Sequence, residues 1–195
     1  MSTSSQKVDR IIYQFWTGTN NITGNRLKGI QSMKNINVQS VLLYKDDIEK
    51  KILPEYPLHP IYQYLSENHK SDYLRCYFMH HFGGGYADIK IYSSDNNWDQ
   101  CFDLINDHPE YDVIGAPEYA GGTFPQYRNP EILKKLVANG YFIVRPHSKF
   151  STEWWNRVNK KLDERLEDAK KHPAEFPRDG GGLNKSKYPL RWAEV

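Results

Sequence analysis

The stretch from Lys70 to Tyr92, which reads KSDYLRCYFMHHFGGGYADIKIY, constrains the fold of this 195-residue chain more than any other. Its apolar residues recur at three- and four-residue spacing, which predicts the buried stripe of an amphipathic helix; they are Tyr73, Leu74, Tyr77, Phe78, His81 and Phe82. Glycines 83–85 end this helix, because glycine tolerates positive φ. The alternation over 86–91 then predicts a strand, which delivers a carboxylate to the sheet edge beside a glycine turn.

Polar residues of this stretch are predicted to gather at one place. Ser71 is the expected N-cap of the helix, and Asp72 follows where the helix dipole favours a negative charge. Asp72 and Arg75 are three residues apart and share a helix face, so they can form an ion pair with each other or bind one ligand together. In the strand, the period of two puts three polar side chains on one side: Tyr86, Asp88 and Lys90.

The rest of the chain alternates between strand and helix patterns. Strands are predicted over 11–16, 38–44, 112–116 and 140–145, and helices over 25–34, 61–68, 98–107, 129–138 and 152–171, with a polar turn or short helix over 46–51. This order is typical of an α/β fold with a mainly parallel sheet flanked by helices. Segments 117–128 and 172–189 are rich in Gly, Pro and polar residues and are predicted to be substrate-facing loops.

Length and composition indicate one globular enzyme domain over residues 1–195. The abrupt end at Trp192-Ala-Glu-Val195 points to a domain cut from a longer protein. The net charge of +2 is too balanced for a nucleic-acid-binding protein. No apolar run approaches the ~20 residues that span a bilayer, and the N-terminus lacks a signal-peptide core. We therefore expect no transmembrane segment and a cytoplasmic location, and the oligomeric state stays open.

The signature stretch resembles the sugar-nucleotide-binding segment of DXD-type glycosyltransferases with the Rossmann-like GT-A fold, such as capsular-polysaccharide and mannosyltransferase-like enzymes. That segment has Ser-Asp, an Arg three residues later, a Gly-Gly-X-Tyr turn and Asp-X-Asp. The matching residues are Ser71, Asp72, Arg75, Gly84, Gly85, Tyr86 and Asp88. The second aspartate of the motif is replaced by Lys90. Segments 10–16, 139–146 and 185–192 resemble the family's first strand, a later core strand and a C-terminal segment that can fold over the diphosphate.

The resemblance implies a hexosyltransferase-type enzyme that moves a sugar from a nucleotide-diphosphate donor, a UDP- or GDP-sugar, to a glycan acceptor in polysaccharide biosynthesis. It implies that Asp88 and Lys90 are the catalytic pair, managing ribose, metal and diphosphate. Asp72 and Arg75 are expected to hold sugar hydroxyls. The resemblance also implies further donor-binding residues, which would frame the nucleotide, shape the glycine turn or close over the phosphates. They are Gln14, Phe15, Trp16, Ser71, Gly84, Gly85, Tyr86, Lys187, Tyr188 and Arg191.

Because Lys90 replaces the second aspartate, the cation that neutralises the diphosphate could be supplied in two ways. In one, Asp88 holds Mn²⁺ or Mg²⁺ through fewer protein ligands and more water, as these ions tolerate. In the other, the ammonium of Lys90, with Arg191 and Lys187, neutralises the phosphates without metal. We expect a weakly bound metal ion on Asp88.

Two other classes of protein fit the same residues. Lys90 is compatible with a non-catalytic sugar-nucleotide or glycan-binding module, and a sugar-nucleotide hydrolase would use a similar donor site. The stereochemical course stays open: an inverting enzyme needs a carboxylate base, for which Glu118 and Asp179 are candidates, and a retaining enzyme does not. His80 and His81 point about 100° apart on a helix, so we expect core or surface histidines rather than a metal-binding pair.

Overall fold

A computed structural model describes residues 6–93, 97–117, 131, 135–181, 186–191 and 194–195. Its sheet has five strands in the order β2-β1-β3-β5-β4: β1 (Ile11–Trp16), β2 (Gln39–Tyr44), β3 (Gly84–Ala87), β4 (Val113–Pro117) and β5 (Val137–Val144). β1 is parallel to both β2 and β3, whereas β5 is antiparallel to β3 and to β4. β5 is therefore the one reversed strand among those described, which confirms the predicted mainly parallel α/β sheet.

Helices cover both faces of the sheet. They are α1 (Gly24–Met33), α2 (Lys45–Lys51), α3 (Glu67–His81), α4 (Trp98–Asp107) and α5 (Lys149–Lys171), with a 3₁₀ turn over Pro60–Tyr64. Side chains of β1 alternate between two cores, as a strand buried on both faces requires. Tyr13 and Phe15 join the core under α3 and α5, whereas Ile12 joins the core under α1 and α4. Within the described ranges, no helix is both long and apolar enough to cross a bilayer.

The signature helix starts earlier than its sequence predicts. Ser66, not Ser71, is the N-cap of α3, and its Oγ accepts a hydrogen bond from the backbone N–H of His69 at 3.4 Å. Leu65 is extended, so the helix predicted over 61–68 is divided into the 3₁₀ turn and the first residues of α3. Ser71 therefore lies inside the helix, where its hydroxyl faces the sheet rather than the helix end.

The strand after the glycines is shorter than predicted. β3 ends at Ala87, and the chain then turns, with the N–H of Ile91 donating to the carbonyl of Asp88 at 2.8 Å. This turn packs closely on α1: a Cβ on Gly29 would lie 2.5 Å from the carbonyl oxygen of Ile89. The chain leaves the sheet where it makes this close contact with α1, so Asp88 and Lys90 lie in a turn and not on a continuous strand.

Two further boundaries differ from expectation. Residues 137 and 138, predicted to end a helix over 129–138, begin β5 instead, and most of that predicted helix and of the loop 117–128 lies outside the described residues. The helix predicted over 152–171 begins at Lys149, because the Oγ of Ser148 caps it by accepting from the N–H of Ser151.

Candidate functional site

The strand order reverses at β1, and this marks the carboxyl ends of β1 and β3 as the expected position of a ligand crevice. From β1 the chain goes to β2 on one side, and β3 then pairs on the other side of β1. Open α/β sheets bind ligands outside the strand ends at such a reversal of strand order. Trp16 ends β1 and Asp88 directly follows β3, so both residues lie at this edge of the sheet.

An ion pair between Asp72 and Arg75 lies on the α3 side of the crevice. Nη2 of Arg75 is 2.8 Å from Oδ1 of Asp72, and Nη1 donates to the carbonyl of Asn139 at 2.8 Å. The Arg75 side chain is 8% exposed and that of Asp72 is 22% exposed. Arg75 is thus directed inward and holds the more accessible carboxylate in place.

A second chain of polar contacts runs through Asp88. The phenol of Tyr86 donates to Oδ1 of Asp88 at 2.6 Å, and Nζ of Lys90 lies 3.1 Å from Oδ2. Burial raises the pKa of Tyr86, so its phenol stays protonated and remains a donor to the carboxylate. The side chain of Asp88 is 24% exposed, whereas that of Lys90 is 72% exposed and reaches solvent.

The two charge pairs are coupled through the ring of Tyr86. The guanidinium of Arg75 lies over that ring, 5.7 Å from its centroid, and the hydroxyl of Ser71 is 3.3 Å from the phenol oxygen. Burial raises the pKa of the Asp72 carboxyl, and the positive charge of Arg75 opposes that shift. The site therefore contains two carboxylates, each with its own cation, on either side of one buried tyrosine.

Backbone contacts hold Asp88 against the start of β5. Its N–H donates to the carbonyl of Gly140 at 2.8 Å, and Nε2 of Gln14 lies 3.5 Å from the Asp88 carbonyl. A Cβ on Gly140 would lie 3.7 Å from Oδ2 of Asp88. The first residues of β5 therefore form one wall of the site, next to the carboxylate.

A groove of about 850 Å³ opens at the ends of β1 and β2. Its lining comes from the loop after β1, from α1 and from β2: Trp16, Gly18, Thr19, Asn20, Asn21, Ile22, Thr23, Leu27, Ile30, Lys34, Leu42 and Tyr44. The indole N–H of Trp16 donates to the carbonyl of Asn20 at 3.0 Å, and Arg26 lies 5.8 Å from the centroid of the Trp16 ring. An aromatic ring and basic side chains thus meet where a planar, anionic ligand would fit.

Several residues predicted to touch a donor are part of the core instead. Phe15 packs against the rings of Phe78 and Tyr86, with centroids 4.9 and 5.9 Å away, and so cannot face a nucleotide. Gln14 is 1% exposed. Gly84 and Gly85 lie inside the sheet, where a Cβ would come within 2.8 and 3.0 Å of β1 atoms. These glycines are required for close strand packing, and of the predicted nucleotide frame Trp16 alone lines the groove.

The predicted phosphate-closing segment is anchored by Tyr188. Its phenol lies 2.9 Å from Nδ1 of His69 and accepts from the N–H of Ser66 at 3.3 Å, so this side chain is fixed at the start of α3. Lys187 and Arg191, on either side of it, are exposed. The segment therefore docks about one helical turn before Asp72, with the tyrosine as its anchor rather than as a ligand-binding group.

Asp179 is a structural residue and not an accessible base. It is 0% exposed, Oδ1 accepts from the hydroxyl of Ser186 at 2.9 Å, and Oδ2 accepts from the backbone N–H groups of Glu175 and Phe176. Its backbone carbonyl also accepts from Ser66 Oγ at 3.1 Å. The other base candidate, Glu118, lies outside the described residues.

The residues at the site do not fit the Mn²⁺ or Mg²⁺ ion expected on Asp88. Such ions are held by one or two carboxylates whose oxygens are free to coordinate them, together with water and substrate phosphates. In the described part of the chain, no three acidic, histidine or cysteine side chains come together in a way that could hold a metal. Both oxygens of Asp88 are engaged by Tyr86 and Lys90, and Oδ1 of Asp72 is engaged by Arg75. The cation beside Asp88 is an ammonium group of the protein itself.

Sequence reasoning missed two parts of the site. Asn139 and Gly140 enter it because β5 runs antiparallel to β3 and starts at the same edge, and no local pattern reveals that reversal. Residues 18–23 of the loop after β1 line the groove, and the position of this loop at a reversal of strand order is a signal that could have identified it.

Comparison with known proteins gives matches among solved structures but none among family models or curated proteins. Among solved structures, the chain is similar to one described as PaToxG Glycosyltransferase, with a TM-score of 0.46 and 14% sequence identity. The match covers 83% of this chain and 64% of that chain, so this chain spans less than two thirds of that structure. At this identity, the likeness says nothing about substrates.

Proposed function

We propose that this chain is a glycosyltransferase that transfers a sugar from a nucleoside-diphosphate donor to a glycan acceptor. The observation that carries the proposal is the position of the Asp88–Lys90 pair, 3.1 Å apart, at the reversal of strand order. A carboxylate, an exposed cation and a groove lined by Trp16 thus share the edge where α/β sheets bind ligands.

Different residues would bind different parts of the donor. The groove beside Trp16 would take the nucleoside, and Lys90 would face the diphosphate. Asp72, held by Arg75, would accept hydrogen bonds from sugar hydroxyls, which makes Arg75 a positioning residue rather than a ligand. Asp88 would orient Lys90 through the contact between its Oδ2 and the ammonium.

Charge is the main requirement of the reaction. The bond between the anomeric carbon and the diphosphate oxygen breaks, and its electron pair stays on the diphosphate. A new bond forms from the anomeric carbon to an acceptor hydroxyl, whose proton is released. Because negative charge develops on the leaving diphosphate, a fixed cation at this position stabilises the transition state more than the ground state.

The test is a transfer assay with UDP- and GDP-sugars, measuring nucleoside diphosphate release with and without oligosaccharide acceptors. We expect release that increases with acceptor and falls at least 100-fold in Asp88→Asn, while the control Asp168→Asn, on the exposed side of α5, keeps full activity. Equal release with and without acceptor would identify a hydrolase. Donor binding without release would identify the non-catalytic module, which the engagement of Asp88 by Lys90 also fits.

A further inference from the structure

The pairing of Lys90 with Asp88 bears on whether the site needs a divalent metal ion. Nζ of Lys90 lies 3.1 Å from Oδ2 of Asp88, and the other oxygen of that carboxylate accepts the hydrogen bond from Tyr86. A divalent ion on Oδ2 of Asp88 would have to displace this ammonium or share the oxygen with it. Two cations on one carboxylate oxygen repel each other strongly in a partly buried site.

Among the described residues, Asp72 is the carboxylate that could offset that repulsion, since it senses the charges of Asp88 and Lys90. It is already bound through Oδ1 to Arg75 at 2.8 Å. Across the described ranges, no three acidic, histidine or cysteine side chains form a possible metal site. The local charges are therefore already balanced as two ion pairs.

The backbone fixes Lys90 but leaves its ammonium accessible. The turn is closed by the hydrogen bond from Ile91 N–H to the Asp88 carbonyl, and it packs on Gly29 of α1. The Lys90 side chain is nevertheless 72% exposed. Lysine is a strongly hydrated point charge on a flexible stem, and it binds phosphate in that form. The ammonium can thus contact an anion in the crevice while Asp88 restrains it.

We propose that Lys90 supplies the positive charge that the donor diphosphate requires, so that donor binding needs no divalent metal ion. This inference rests on the proposed function, since it concerns the same site and the same donor. Asp88 is then a positioning residue that orients the ammonium.

Calorimetric titration with UDP and GDP tests this, first in chelator and then in Mn²⁺. The wild-type protein is expected to bind one of them with the same affinity in both buffers. Lys90→Gln should weaken that binding at least tenfold, and Lys90→Arg, which keeps the charge, should stay within threefold of wild type. The matched control Lys160→Gln changes an exposed lysine on α5 and should have no effect. Thermal melting checks that each variant is folded.

The outcomes separate this inference from the function on which it rests. Binding to the wild type only with Mn²⁺ would overturn the role of Lys90 and leave the proposed function intact. Unchanged affinity in Lys90→Gln, or an equal loss in Lys90→Arg, would also overturn it. If neither nucleotide binds in either buffer, the proposed function itself fails.

Discussion

Nη2 of Arg75 lies 2.8 Å from Oδ1 of Asp72, and this pair fixes the position of α3 relative to β5 because Nη1 also binds the carbonyl of Asn139. The two residues occupy one face of α3 at i and i+3. Since the Arg75 side chain is 8% exposed, removing either partner leaves a charge in a poorly hydrated place.

Arg75→Met is therefore expected to lower the free energy of unfolding by about 3 kcal/mol, because Asp72 loses its counter-ion and Asn139 its donor. Chemical denaturation measures this loss. The control Arg157→Met removes a largely exposed ion pair of α5, at 83% exposure of Arg157, and should change stability by less than about 0.5 kcal/mol. Similar losses in both variants would show that the Asp72 pair is not a structural anchor.

Tyr86→Phe removes one hydroxyl and keeps the packed ring. Since that hydroxyl donates to Asp88 at 2.6 Å, its loss should cost about 1.5–3 kcal/mol of stability, as for hydrogen bonds to charged groups. The same variant should weaken donor binding, because Asp88 loses one of the two contacts that orient it. Denaturation and calorimetry measure the two effects, and Tyr111→Phe, an exposed tyrosine, is the control. Unchanged binding would separate Tyr86 from the site.

Much of the fold could be predicted because the relevant signals are local. The short apolar run over 11–16 predicts β1 and the helical pattern over 98–107 predicts α4, and both predictions match the structure at both ends. The glycine hinge was predicted correctly: Gly83 and Gly84 have φ of 67° and 94°, which other residues rarely adopt. What local patterns could not show is the reversal of β5, which depends on pairing with β3 across the sheet.

The candidate site was harder to predict than the fold. The motif brought Asp72, Arg75, Asp88 and Lys90 together, as the structure also does. Sequence spacing could not distinguish a ring that faces a ligand from one that fills the core, and for this reason Phe15 was misassigned. The metal ion expected on Asp88 does not fit either, because Nζ of Lys90 pairs with that carboxylate. This contact depends on the turn after β3.

Asp179→Ala is expected to destabilise the fold through the C-terminal segment. The change leaves the backbone N–H groups of Glu175 and Phe176 and the hydroxyl of Ser186 without this acceptor. A fully buried donor left unsatisfied costs about 1–3 kcal/mol; because these three hydrogen bonds are only partly buried and water can replace part of them, we expect a total loss of about 2–4 kcal/mol. Denaturation measures the loss, and limited proteolysis should show faster cleavage near residues 180–190. A stable variant that loses activity alone would instead support a catalytic role for Asp179.

Acid is expected to destabilise this protein through buried histidines. Burial lowers the pKa of His69, His80 and His81 to about 4, from an ordinary value of 6.5. Between these two values, the unfolded chain binds protons that the folded chain does not. The free energy of unfolding should therefore be fully retained above about pH 6.5 and fall as the pH drops toward 4, by up to about 1.4 kcal/mol per pH unit for each histidine.

His81 provides the variant that tests this pH dependence. Both of its ring nitrogens are buried without a hydrogen-bond partner in the described structure, and its ring lies 5.0 Å from that of Trp155 and 6.1 Å from that of His147. His81→Phe should raise stability more at pH 5 than at pH 7.5, because phenylalanine cannot acquire a charge. The exposed control His172→Phe should raise stability at neither pH. An equal effect of His81→Phe at both pH values would contradict this explanation.

The proposed function requires that a nucleoside-diphosphate donor binds at the edge between β1 and β3. The most direct measurement is a ¹H–¹⁵N NMR titration of the ¹⁵N-labelled protein with UDP- and GDP-sugars, with the Trp16 indole signal assigned through Trp16→Phe. If the donor binds there, saturable shifts are expected in the Trp16 indole and in the amides of Asp88 and Gly140. Shifts confined to the opposite edge of the sheet, or none at millimolar donor, would contradict it.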